Sequence, residues 1–165
     1  MQNNKVLKDV RYALKLRNKK LEKIFGLGDV KITEEEIEKL LSKDKTKDFL
    51  NCNNKYLHGF LNGLIRYYRG EGTEEMRRKR TRFVRITKIN ANNLVLKKLK
   101  VALSLRNEDV AGIFRMGEIS VTNSELNGMF RNERSKIYRK CGDKYLRKFL
   151  KGLIVYKRGM PEEKD

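Results

Sequence analysis

Proline occurs once in 165 residues, histidine once and cysteine twice. Each scarcity removes a class of protein. Two cysteines, Cys52 and Cys141, are too few for a disulfide framework. Even with the lone His58 they fall short of a four-ligand zinc set. No apolar run approaches the ~18 residues that a membrane-spanning helix needs. The opening MQNNKVLKDV has no apolar h-region, so no signal peptide is expected and a cytoplasmic location is. One proline with twelve glycines is not the composition of a disordered or low-complexity chain. A P-loop, a dinucleotide fingerprint and a metal box are missing as well.

Acidic residues are the other shortage. They number 21 against 40 basic ones, for a net charge of +19. Solubility asks for a magnitude of roughly 2–8 in a small domain. The excess points to a polyanionic partner, RNA or DNA. The competing explanation is compositional drift, since the chain is rich in Lys, Asn and Ile. A hydrophobic share of 39% is enough for a packed core.

What the chain does contain, it contains twice. YLHGFLNGLIRYYRG, from Tyr56 to Gly70, returns in large part as YLRKFLKGLIVYKRG, from Tyr145 to Gly159. A single offset of 89 residues aligns 4–70 with 93–159 without a gap, and roughly 27 of 67 positions are identical. Val6-Leu7-Lys8 pairs with Val95-Leu96-Lys97, Ile24-Phe25 with Ile113-Phe114, Gly28 with Gly117 and Cys52 with Cys141. This is an internal duplication.

Each copy reads as four helices. Val6, Val10, Ala13 and Leu14 recur at helical spacing. Asn18 is placed to cap a short helix carrying Leu21, Ile24 and Phe25, and Gly28 suits a left-handed stop. Val30-Lys31-Ile32 reads as a short extended piece. Thr33 and Glu36 make a capping box for a helix with Ile37, Leu40 and Leu41 inward. A last helix starts near Asn54 and ends at Gly70, and Asp143 replaces Asn54 as the cap in the second copy. The expected fold is therefore all-α, with two tandem, homologous four-helix units and only short extended segments. The units span 4–70 and 93–159, joined by a basic linker, 71–92. A unit of about 67 residues is marginal alone, so the two are expected to pack with pseudo-twofold symmetry. Gly63 and Gly152 stand at the same place inside the last helix of each unit. Glycine there costs about 1 kcal/mol relative to alanine. A close backbone approach would offset it, within a unit or between units.

The stretches VRYALKLRN, NNLVLKKLKVALSLR and CGDKYLRKFLKGLI resemble the YehS-like bacterial proteins. The resemblance covers the chain apart from its middle linker and tail. It implies a cytoplasmic protein of about this length with a tandem domain of unknown function. It implies no activity and assigns no functional residues.

The charge is spread over the chain, with net +7 in the first unit, +10 in the second and +4 in the linker. RRKRTRFVR in the linker gathers Arg77, Arg78, Lys79, Arg80, Arg82 and Arg85. Guanidinium forks match phosphate oxygens, although such a run is also what a solvated connector looks like. Phe83 among them is a base-stacking or a core residue. Arg17 and Arg106 are basic at equivalent positions, as are Lys55 and Lys144. The last two sit at a helix start, where the macrodipole disfavours a cation and free N–H groups attract an anion. A salt bridge or a lysine stem lying on Tyr56 or Tyr145 explains them equally well. Arg69 and Arg158 follow a helix C-terminus, which favours a cation anyway.

The span from Asn18 to Leu41 has a helix-turn-helix look, but its second helix opens on Glu34-Glu35-Glu36, which would repel phosphates. His58 lacks a visible nucleophile partner. Cys52 and Cys141 precede a helix start, which can lower a thiol pKa, yet small buried cysteines are commoner. No catalytic constellation is visible, and no cofactor is expected. The sequence thus supports a non-enzymatic helical repeat protein that binds nucleic acid, RNA rather than DNA, through phosphates. The alternative is a protein–protein adaptor, with an acidic protein as partner and incidental charge.

Overall fold

The computed structural model describes residues 1–81 and 85–159, with the backbone alone for Arg77, Lys79, Arg80 and Thr81. Among the described residues there are nine helices and no strands. The first unit holds α1 (Asn3–Leu14), α2 (Asn18–Leu27), α3 (Glu34–Leu41) and α4 (Asn54–Arg69). The second repeats them as α6 (Ala91–Ala102), α7 (Asn107–Met116), α8 (Asn123–Met129) and α9 (Asp143–Arg158). The basic linker contributes α5 (Glu74–Thr81). The Thr73 hydroxyl accepts the Met76 N–H at its start.

Several helix boundaries differ from expectation by one residue. The N-caps are Arg17, Asn53 and Gly142, each followed by the expected cap as the first helical residue. Asn53 Oδ1 accepts the Tyr56 N–H at 2.9 Å, which satisfies one orphan donor of α4. Thr33 and Thr122 cap as expected, accepting the N–H of Glu36 at 3.2 Å and of Glu125 at 3.1 Å. Gly28 is not the left-handed stop; its φ is −91°, and the left-handed residue is Asp29 at 61°, matched by Glu118 at 68°.

Glycine is needed at 28 for a different reason. A Cβ there would lie closer to the Gly59 carbonyl oxygen than the 3.0 Å that real Cβ atoms respect. Gly117 faces Lys148, at the matching position, in the same way. The same holds for Gly63 against the Ile24 carbonyl and Gly152 against that of Ile113. The question left open by the sequence is thereby answered: both interior glycines serve contacts within a unit, α4 on α2 and α9 on α7. The Phe25–Phe60 and Phe114–Phe149 ring pairs seal these contacts, with centroids 5.4 and 5.3 Å apart. Burying such a ring contributes roughly 1.5–3 kcal/mol.

Between units the helices exchange partners. α1 packs chiefly along α9, and α4 along α6; lighter contacts of α1 with α4 and of α6 with α9 close the ring. The two buried sets merge into one core drawn from both copies. Arg69 reaches from the end of α4 to the Ser104 hydroxyl at 2.7 Å. Its counterpart Arg158 donates to the Tyr12 carbonyl at 3.0 Å and lies over that ring at 4.1 Å. Arg158 thus clasps the first helix of the opposite unit, and Arg69 the turn that follows the other unit's first helix.

Candidate nucleic-acid interface

α2 begins without a side-chain cap on its N-cap residue Arg17, and its first turn holds no acidic residue. Lys19 and Lys20 occupy that turn, and Lys23 follows one turn on. Lys15, at the C-cap of α1 with φ 55°, precedes them. Packing of α4 on α2 brings Tyr67 across from these lysines. The ammonium groups of Lys20 and Lys23 each lie 5.9 Å from the Tyr67 ring centroid, at the outer edge of cation–π contact. Tyr68 braces the ring edge-on at 5.1 Å. The result is an open groove of ≈ 430 Å³ lined by Lys15, Arg17, Lys19, Lys20, Lys23 and Tyr67. Five cations line it and no acid does.

The equivalent place in the second unit has lost this character. Offset by 89, the five cationic positions become Ser104, Arg106, Glu108, Asp109 and Gly112, while Tyr67 becomes Tyr156. Arg106 is neutralised there, with Glu108 at 3.1 Å and Asp109 at 3.4 Å. The Asp109 carboxylate also accepts the Arg106 N–H at 2.8 Å, which holds its carboxyl below the usual range. A separate side-chain bond, Arg106 Nε–H to Asp109 Oδ2 at 3.4 Å, raises the Arg106 guanidinium pKa, and the Glu108 charge adds to it. Arg17 and Arg106 look alike in sequence and are electrostatically unlike in the fold.

The other candidates are not brought to this groove. Lys55 is exposed in the first turn of α4. Twelve residues separate it from Tyr67, about 18 Å along the axis, so the two lie toward opposite ends. Lys144 has the same relation to Tyr156 on α9. Arg78 is exposed on α5 with Glu74 at 3.3 Å, and Arg85 is exposed after it. The side chains of Arg77, Lys79 and Arg80 lie outside the described residues, as do Arg82 and Phe83 altogether.

His58 is buried in α4 at the contact with α6. Cys52 and Cys141 are buried and free, and burial pushes each thiol up to about 12, which leaves them protonated at neutral pH. Among the described residues no group of three or more His, Cys, Asp or Glu is placed to hold a metal ion. No described helix is long and apolar enough to cross a membrane.

Lys15, Lys19, Lys20, Lys23 and Tyr67 were not singled out by the sequence reading. The signal was available as a difference between the copies: KLRNKKLEK against SLRNEDVAG. Asn4 and Asn93 are two further residues whose role the local pattern does not mark. Asn4 Nδ2 donates to the carbonyls of Leu40 and Leu50 at 3.0 and 2.9 Å, and its Oδ1 accepts the Cys52 N–H at 2.9 Å. Asn93 does the same with Met129, Arg139 and Cys141.

The duplicated architecture places the chain in a family. Residues 3–70 and 92–159 each match the family described as "Protein of unknown function (DUF1456)", and the chain belongs to that family, with two tandem copies. It is 39% identical to "Uncharacterized protein YehS" of Escherichia coli (strain K12) over 155 residues, 94% of this chain and 96% of that protein. No solved structure matches the chain.

Proposed function

We propose that the protein is a non-enzymatic, cytoplasmic nucleic-acid binder that engages phosphates with little sequence preference, RNA in preference to DNA. The observation that carries this reading is the acid-free groove of Lys15, Arg17, Lys19, Lys20 and Lys23 around Tyr67. Five like charges repel one another in the folded state; salt screens part of that cost, and a bound polyanion relieves it further. The net charge of +19 surrounds the groove with further attraction. The arginine-rich linker run supplies additional forks suited to phosphate.

Fluorescence anisotropy with labelled RNA and DNA across a salt series tests the reading. For six to ten phosphate contacts, affinity falls by roughly 10³–10⁵ between about 50 and 200 mM salt. Neutralising Arg77, Arg78, Arg80, Arg82 and Arg85 together should flatten that slope and weaken all sequences alike. Absence of binding at the lowest salt overturns the proposal in favour of an adaptor role.

A further inference from the structure

We infer that the nucleic acid is taken as a single strand, at one site per chain, with a base on the Tyr67 ring and its flanking phosphates among Lys15, Arg17, Lys19, Lys20 and Lys23. The inference rests on the proposed nucleic-acid binding and assigns it a strand state and a place.

Three observations carry it. The first is the pairing of an aromatic ring with cations on one wall of a groove. A phosphate-only surface needs no ring, whereas an unpaired base has a π-face to offer and a duplex keeps that face stacked. The second is the position of the lysines. Lys20 and Lys23 each sit 5.9 Å from the centroid of the half-buried ring, within reach of phosphates that flank a stacked base. The third is the duplicated copy, which serves as an internal comparison. Tyr156 keeps the ring, 42% exposed. Its surroundings differ, because Glu108 and Asp109 stand in place of Lys19 and Lys20 and tie up Arg106. One fold therefore carries the constellation in one copy and cancels it in the other, which points to one site rather than two.

The second copy also supplies test substitutions that its own backbone tolerates at the equivalent positions. Lys19→Glu with Lys20→Asp gives the first unit the second unit's residues. Anisotropy is measured on the full chain with a labelled 12-mer RNA, single-stranded or annealed to its complement, at one fixed moderate salt. The single strand should bind tighter than the duplex. The double substitution should weaken single-strand binding at least about tenfold, through lost phosphate neutralisation. Tyr67→Ala should weaken it by about 5- to 150-fold, the range of one base–aromatic stack, and leave the duplex unaffected. Tyr67→Phe should restore it, and Tyr156→Ala should match the unaltered chain. A circular-dichroism melt of each variant separates lost binding from lost folding, and Tyr67→Phe keeps the question decidable if Tyr67→Ala unfolds. Equal affinity for single strand and duplex overturns the inference and leaves nucleic-acid binding standing. So does full binding by the Lys19/Lys20 variant. Binding of neither form by the unaltered chain overturns both readings together.

Discussion

The Lys98 ammonium lies 2.8 Å from His58 Nδ1, across the contact between α6 of one unit and α4 of the other. His58 is 6% exposed. Its neutral ring accepts a hydrogen bond from the lysine ammonium, because burial and the Lys98 charge push the imidazole down to about 3. Burial also lowers Lys98, to about 8. The duplication does not repeat this pair, since the equivalent positions hold Asp9 and Arg147.

The pair makes stability depend on pH. Between about 3 and its ordinary 6.5, His58 is protonated in the unfolded chain and not in the folded one. Acid therefore favours unfolding, and stability should decline as pH falls through 6.5. Between about 8 and 10.5 the unfolded chain again holds an extra proton, on Lys98, so stability should rise with pH there. Melting curves from about pH 5.5 to 7, above most of the carboxylate titration, should show the acid slope. His58→Leu with Lys98→Met should flatten it. Each single substitution should cost more than half the double, because it leaves a buried polar partner unpaired. A pH-independent melting temperature across this window contradicts the account.

Asn4 and Asn93 hold the loop before each last helix onto the first. Asn4→Leu keeps approximate volume and leaves two carbonyls and one N–H without their partner. At about 1–3 kcal/mol for each buried unpaired group, the loss should reach at least about 2 kcal/mol in denaturant titration. Asn4→Asp should do no better, since it keeps the acceptor for Cys52 and turns a carboxylate toward two carbonyls. A loss below about 0.5 kcal/mol, ordinary for a surface change, would refute the clamp.

Glycines separate into two kinds by what a side chain would meet. Gly63→Ala and Gly28→Ala force a methyl onto backbone of a packed helix and should each cost at least about 1–3 kcal/mol. Gly26→Ala, in α2 with nothing within 4 Å of the added carbon, should instead stabilise by about 0.5–1 kcal/mol. Thermal melts of the three proteins check the ordering.

The exchange of helix partners makes half of the chain incomplete. A fragment of residues 1–72 leaves the faces of α1 and α4 that meet α9 and α6 uncovered. Because α4 and α9 are copies, a second fragment can supply α4 to α1. The fragment should sediment as a dimer or larger species, or fail to fold. A stable folded monomer in analytical ultracentrifugation rules out mutual dependence of the units.

Much of this fold was written in local signals. The offset of 89 residues, the Thr33 and Thr122 caps, the apolar spacing of the helices and the termination at Gly70 and Gly159 depend on residues close in sequence, so pattern alone located eight helices in two units. The misplaced caps at Asn18, Asn54 and Asp143 arise where adjacent polar residues compete for one role, and only the backbone turn decides between them. α5 was hidden because its charged run has no apolar stripe to mark it.

Tertiary structure decided the rest, because distance across the fold is not encoded in spacing along the chain. It decided that Gly28 serves a neighbour's carbonyl and that Asn4 is a buried clamp. It decided that α1 packs on α9 of the other copy, and that His58 meets Lys98. Composition gave the net charge, and a comparison of the two copies held the clue to its asymmetry. Only the packing of α4 on α2 set Tyr67 among five cations, while in the other unit two acids folded back onto Arg106.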